Sequence, residues 1–284
     1  MNWMDEGALY SQIAVMLRED LGRGDITSQS IVERNTRARG RFVANEKIIV
    51  AGLEAAEEVF LTLDSQIQLE AFVADGEEIE AGKVIARTVG FADVLLAGEG
   101  VALTLIQRMS AVATHVHQIV NSLAGTSTRV VATRETMPGI RMLERYAVML
   151  GGGHNSRFGL DDGVVVTANH AAVAGGLAKA VQTAKARLGQ AQKIFVHVGD
   201  EVALREAVDH GADVLHLEGL SPEAVAQLVA VGRSLSSQLV FECSGNIASG
   251  NARAYAEAGA DLISINLLRC SPAAMDISFV IQPF

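Results

Sequence analysis

Apolar residues recur at helical spacing over residues 6 to 20, where Leu9, Ile13, Met16 and Leu17 form one stripe that ends at Gly22. GDITS follows and predicts a turn and cap, with the Asp25 and Thr27 side chains placed to bond nearby backbone amides. The run GRFVANEKIIV (40–50) has strand chemistry, and GLEAAEEVFLTL restores the helical period. Residues 66 to 89 predict two short strands joined by DGEEIEAGKVIA. A carrier hairpin would need a lysine at its exposed tip. Here the tip holds acids and Lys83 falls beyond it, so the hairpin reads as structural. A long helix is predicted over about 97 to 123; His115 and His117, two apart on it, point to nearly opposite sides and cannot chelate one metal.

From about residue 128 the pattern changes to short apolar strands alternating with amphipathic helices. TRVVAT, GVVVTA, KIFVHV, ADVLHLE, QLVFEC and ADLISI predict strands, and EVALREAVDHG and SPEAVAQLVAVG predict helices between them. Gly211 and Gly259 each stand just before a strand, as helix C-terminal caps do. This alternation implies a parallel sheet covered by helices. At least six such units favour a closed or nearly closed α/β barrel over an open sheet.

Composition narrows the setting. A chain of 284 residues with 49% apolar content can bury one large core or two modest ones. Its 33 acids against 23 bases give a net charge of −10, which argues against a nucleic-acid surface. Cys243 and Cys270 have no framework spacing, and MNWMDEGALY carries acids where a signal peptide would carry bases. The most apolar run, 101 to 106, is interrupted by Gln107 and Arg108, so no membrane span is expected. The expected setting is cytoplasmic, with neither nucleic acid nor membrane as a partner.

Against that acidic background, Arg134, Arg141, Arg145 and Arg157 gather within 24 residues. Fixed cations at strand ends and glycine loops suit a small polyanion, which Arg134 and Arg157 are placed to bind. For Arg141 and Arg145 a solvated basic helix stays open beside that reading. In parallel barrels the working residues lie at the carboxyl ends of strands. That rule selects Arg134, Thr167 to His170, His197, Glu218, Ser244 to Asn246, and Asn266. The SGN loop after VFEC has small residues that let backbone amides approach a phosphate. Period-two alternation puts His216 and Glu218 on one face of their strand, with His197 near the tip of the preceding one. Either the three converge as an acid–base or metal-binding cluster, or His216 packs inside the barrel and only Glu218 reaches solvent.

The ordered strings carry a resemblance. TRETMPGIRMLERYAV, GGGHNSRFGL, EDLGRGDITS, AGLEAAEEVF, LIQRMSAVAT, ECSGNI and DLISIN together resemble the quinolinate phosphoribosyltransferase family nearly end to end. The resemblance implies an N-terminal α/β sandwich domain (1–112, rejoined by 272–284) and an incomplete α/β barrel (113–271). It implies joining of a quinolinate-like heteroaromatic acid to phosphoribosyl pyrophosphate, release of pyrophosphate and decarboxylation, in a homodimer with a shared active site. Mg2+ would accompany the pyrophosphate sugar, with Glu218 as its one protein contact and no protein-only metal site. Arg134 and Arg157 match carboxylate-binding arginines, with Thr136, Ser156, Thr167 and His170 completing the substrate side. Ser244, Gly245, Asn246 and Asn266 form the phosphate side, and Glu218 keeps the charge of a ribose-binding aspartate. Apart from the resemblance, Glu218 and His197 are the candidate catalytic residues, as acid and base of an enzyme repurposed on the same barrel.

The chain also departs from that pattern. Glu135 stands where the family has a lysine facing phosphate, a change of two charge units that costs a bound pyrophosphate several kcal/mol at close range. Ser156 replaces a histidine, Thr167 a lysine, Ala168 an aspartate, Gly100 an arginine lent to a neighbouring subunit, and His197 a glutamate. Gly219 takes the place of an asparagine, while Asn266 and Cys270 occupy late glycine and histidine positions. Two other readings therefore accompany phosphoribosyl transfer: a repurposed relative acting on another small acid as a lyase, decarboxylase or other transferase, or a non-catalytic ligand-binding relative.

Overall fold

The computed structural model describes residues 6 to 189 and 191 to 284, so the acidic leader MNWMD lies outside the described residues. The chain forms two compact units: residues 1–117, 137–151 and 271–284 make the first, and 118–136 with 152–270 make the second. The sequence division at 112/113 differs from this chiefly in segment 137–151, which clusters with the first unit although barrel elements flank it.

In chain order the first unit begins with α1 (Glu6–Leu21), α2 (Ile26–Ile31), β1 (Arg37–Ala44), β2 (Ile48–Ile49) and α3 (Leu53–Leu63). It continues with β3 (Gln68–Ala71), β4 (Glu78–Ile79), β5 (Val84–Phe91) and α4 (Ala92–Ser122), whose last residues enter the second unit. Leu9, Ile13 and Leu17 are buried at four-residue spacing, which is why α1 forms as read. Asp25 caps α2 by accepting from the Thr27 and Ser28 amides. The 66–89 segment holds the expected antiparallel pair, but its connection carries a further short strand. β3 pairs with β5, while β4 leaves to pair with β2.

The final strand, β13 (Ile277–Pro283), pairs antiparallel with β1 and completes a four-stranded sheet of order β13-β1-β5-β3. Phe42 faces Phe279 across that pair with ring centroids 4.5 Å apart, and Phe60 of α3 packs against both. Gly40 is required there, since a Cβ would sit 2.1 Å from the Phe279 ring. By length and composition α4 is apolar enough to cross a membrane, contrary to the expectation from residues 101 to 106. Its apolar face is spent on the core instead, with Ala102, Ile106, Met109, Val112 and Val116 at 1% exposure or less.

After β6 (Arg129–Ala132) the chain makes α5 (Arg141–Leu150) in the first unit, then returns with β7 (His154–Asn155), β8 (Val164–Val166), α6 (Ala168–Ala174) and α7 (Leu177–Arg187). There follow β9 (Ile194–His197), α8 (Glu201–Asp209), β10 (Val214–Glu218), α9 (Pro222–Leu235), β11 (Val240–Ser244), α10 (Ala252–Glu257), β12 (Leu262–Ile265) and α11 (Leu267–Cys270). The seven strands form one sheet of order β7-β6-β12-β11-β10-β9-β8, and every pair in it is parallel. β7 and β8 are its two edges, so the barrel is incomplete. Asp200 and Ser221 cap α8 and α9 by accepting from the Ala203 and Ala224 amides. Gly211 and Gly259 take φ of +100° and +97° at the predicted stops.

Arg145, on α5, is 1% exposed, so the solvated-helix reading fails for it. Neither it nor Arg141 lines the cavity of the second unit.

Candidate active site

The carboxyl ends of all seven parallel strands meet around one cavity of about 300 Å3, and every residue lining it belongs to the second unit. β6 delivers Arg134 and Glu135, β7 delivers Ser156 and Arg157, and the turn after β8 delivers Thr167 and His170. β9 and β10 end in His197 and Glu218, β11 in Ser244 and Gly245, and β12 leads into Asn266. Strand polarity alone therefore gathers residues more than a hundred positions apart.

On the cationic side, Arg157 Nη1 donates to the Gly163 carbonyl at 2.9 Å. Burial first, and then the nearby Arg134, hold its guanidinium below the usual arginine range, against the pull of Asp162. Arg134 keeps its Nε buried without a hydrogen-bond partner. Two guanidinium groups that repel each other therefore line one cavity and raise its positive potential.

On the acidic side, Glu135 accepts from Asn266 Nδ2. The Asn266 Oδ1 accepts from the Leu268 and Arg269 amides at 3.0 and 3.1 Å and so opens α11. Glu218 stands between His197 Nδ1 at 3.6 Å and Arg269 Nη1 at 3.5 Å. Burial pushes His197 below the ordinary imidazole value, while Glu218 and Glu135 pull it back up. Thr167 and His170 form the N-terminal cap of α6: His170 Nδ1 accepts from the Thr167 amide at 3.2 Å and lies 2.7 Å from its hydroxyl.

Four predicted residues miss the cavity, among them Ala168 and Asn169, which lie in the first turn of α6. Thr136 is 1% exposed and its hydroxyl donates back to the Arg134 carbonyl at 3.4 Å, so it shapes the turn rather than the wall. Asn246 is exposed beyond Gly245, where its carbonyl accepts from Asn251 Nδ2 at 2.9 Å. Gly245 itself needs to be glycine: its φ is +129°, and a Cβ would lie 3.1 Å from the Gly219 backbone.

The cavity also includes Arg269, Glu242 and Ser264, which sequence reasoning did not select. Glu242 and Ser244 are two apart on β11 and share a face, so alternation held the signal for Glu242. His216 lies inside the sheet at 8% exposure while Glu218 reaches the rim, and His197 stacks on His216. No group of three or more His, Cys, Asp or Glu able to hold a metal occurs among the described residues.

Residues 25–110 match the family model for the quinolinate phosphoribosyl transferase N-terminal domain, and residues 112–280 match that for its C-terminal domain. A Bacillus subtilis protein called a probable nicotinate-nucleotide pyrophosphorylase [carboxylating] is 38% identical over 260 residues, covering 92% of this chain and 89% of its own. A Synechocystis protein of the same name is 37% identical over 248 residues, covering 87% and 84%. The solved structure of the nicotinate-nucleotide pyrophosphorylase from Francisella tularensis superposes with a TM-score of 0.91 at 31% identity, over 99% of this chain and 98% of that one. Fold, strand-end site and near full-length sequence agreement lead to one conclusion: the chain belongs to the quinolinate phosphoribosyltransferase family.

Proposed function

We propose that the protein is a phosphoribosyltransferase that joins a heteroaromatic carboxylic acid to phosphoribosyl pyrophosphate. The ring nitrogen attacks the sugar C1, the C1–O bond to pyrophosphate breaks, and pyrophosphate leaves. For a quinolinate-like diacid the carboxyl beside that nitrogen departs as CO2 and its carbon takes a proton. The observation that carries this is the pair Arg134 and Arg157 facing one cavity, with the field of Arg134 acting against the charge on Arg157. A substrate carboxylate seated beside both relieves that repulsion. In this reading Glu218 takes the ribose hydroxyls and Ser244 and Gly245 a phosphate, supported by all three lining the same cavity as the arginines. Such chemistry depends on positioning and on stabilising a cationic sugar.

Mg2+ suits this reading as a companion of the pyrophosphate sugar, since it binds through one or two carboxylates plus substrate phosphates. Glu218 is the rim carboxylate for that role, its side chain 50% exposed. A second copy of the chain over the rim is part of the same proposal, supported by Leu160 and Val173, which are 75% and 91% exposed. A cytoplasmic setting is part of the same proposal, supported by α4, whose apolar face lies in the core.

Incubation with quinolinate, phosphoribosyl pyrophosphate and Mg2+ tests the proposal. Pyrophosphate release that falls at least about tenfold in Arg134→Ala is expected; no release under any condition overturns it. Glu135 favours a second reading, in which the preferred substrate is a less anionic acid than quinolinate, because its carboxylate sits on the cavity wall. Faster turnover of a ring monocarboxylate than of quinolinate would select that reading.

A further inference from the structure

β9, β10 and β11 run side by side with His197 opposite His216 and His216 opposite Glu242. The His216 ring lies 4.2 Å from the His197 ring, with planes 17° apart. Its Nε2 is 2.6 Å from Ser244 Oγ, and its Nδ1 is 3.6 Å from Glu242 Oε1. No candidate role from the sequence rests on His216 alone, yet it touches two groups of the rim.

We propose that His216 is a positioning residue that acts through two others at once, fixing the Ser244 hydroxyl through Nε2 and fixing the His197 ring by stacking. The Ser244 half rests on the reading of that residue as part of the phosphate side.

A serine hydroxyl has three rotamers, and Ser244 is followed by a glycine with φ of +129°. One hydrogen bond to a buried ring selects a single rotamer. The stack does the same for His197, whose distance from Glu218 depends on the tilt of its ring. Phenylalanine could stack but not bond, and glutamine could bond but not stack; imidazole does both. Burial, followed by the field of His197, pushes the His216 imidazole down to about 3, so at neutral pH it adds no charge beneath His197.

Two variants separate the functions. His216→Phe keeps the stack and loses the bond: inorganic pyrophosphate binding, read by calorimetry, should weaken about five- to tenfold. The His197 titration, read by NMR, should stay in place. His216→Gln keeps a bond and loses the stack: pyrophosphate binding should stay within about threefold, and the His197 titration should rise toward its ordinary value as water reaches the ring. Wild-type pyrophosphate affinity in His216→Phe overturns the Ser244 half, as does a wild-type protein that binds no pyrophosphate. An unmoved His197 in His216→Gln overturns the stacking half. Should either variant fail to fold, the ring nitrogens of wild-type His216 decide: they should report an uncharged imidazole from pH 8 to pH 5, and a His216 that titrates near neutrality overturns the arrangement. Failure of the transferase proposal looks different, since turnover would then be absent while His216-dependent pyrophosphate binding persisted.

Discussion

Acidification should destabilise the second unit through His216, and the size of the effect can be worked from its surroundings. The ring is 8% exposed and faces His197, Ser244 and Glu242, so its folded-state value is about 3 against an unfolded value of 6.5. Between those values the unfolded chain binds the proton and the folded chain does not, so stability falls as pH drops below 6.5. Integrating that linkage from pH 7.5 to pH 4.5 gives a loss of about 3 kcal/mol from this residue. Because pH 4.5 lies above the folded value, the figure is set almost wholly by the unfolded one. Glu242 acts with the opposite sign. Burial raises its carboxyl, so its contribution is present at low pH and is lost as pH rises through the folded value. That contribution is shared by wild type and by His216→Phe. Urea unfolding of both proteins at pH 7.5 and 4.5 isolates the imidazole. The wild type should lose about 3 kcal/mol more than the variant over that interval. Parallel losses would refute the reasoning, because they would mean that water reaches the His216 ring in the folded state.

Glu218→Gln should lower the His197 titration further, because it removes a charge that pulls the imidazole up from 3.6 Å. The carboxylate is half exposed and solvent screens the pair, so the downward movement read by NMR titration should be small; an upward movement would contradict it. Glu144→Ala should unfold the first unit more easily. Glu144 accepts from Arg108 Nε and Nη2 at 2.9 and 2.6 Å and from the Met137 amide at 2.9 Å, with its own side chain 0% exposed. Leaving Arg108 without its carboxylate should cost about 3 to 5 kcal/mol and lower Tm by about 10 °C, whereas a fall under about 2 °C in calorimetry would show the pair to be dispensable.

The strands of the second unit were legible because each is a short apolar run bounded by turn residues, and β6, β9, β10, β11 and β12 form where those runs lie. The stripe of α1 and the stops at Gly211 and Gly259 were legible for the same local reason. What local pattern cannot carry is the choice of partner. β4 pairs with β2 rather than closing a hairpin with its neighbours, and α5 clusters with the first unit although strands of the second flank it. For Arg145 a solvated face and an anion site stayed open together, and it is buried instead, because helical period shows a face without showing what covers it. Alternation likewise put His216 and Glu218 on one side of β10 but could not assign their depths, and two residues along the strand separate a ring at 8% exposure from a side chain at 50%.

That depth difference orders the chemistry of the rim. At the mouth, the carboxylates are already engaged: Glu135 by Asn266, and Glu218 by Arg269 and His197. Below them, His216 is held uncharged by burial, and Glu242 is pushed toward its neutral form for the same reason. The His216 ring therefore adds no charge at neutral pH, and the field a ligand meets comes chiefly from Arg134, Arg157 and Arg269 against Glu135 and Glu218. A ligand that answers this field carries its negative charge at one end, beside the arginines. Under the proposed function its hydroxyls would lie at the other end, where Glu218 could accept from them. An aromatic acid and a phosphorylated sugar, meeting in one cavity, divide those requirements between them. If the Glu135 carboxylate limits the anionic charge the pair can carry, Glu135→Gln should raise turnover of quinolinate relative to a ring monocarboxylate, and an unchanged ratio would remove that role.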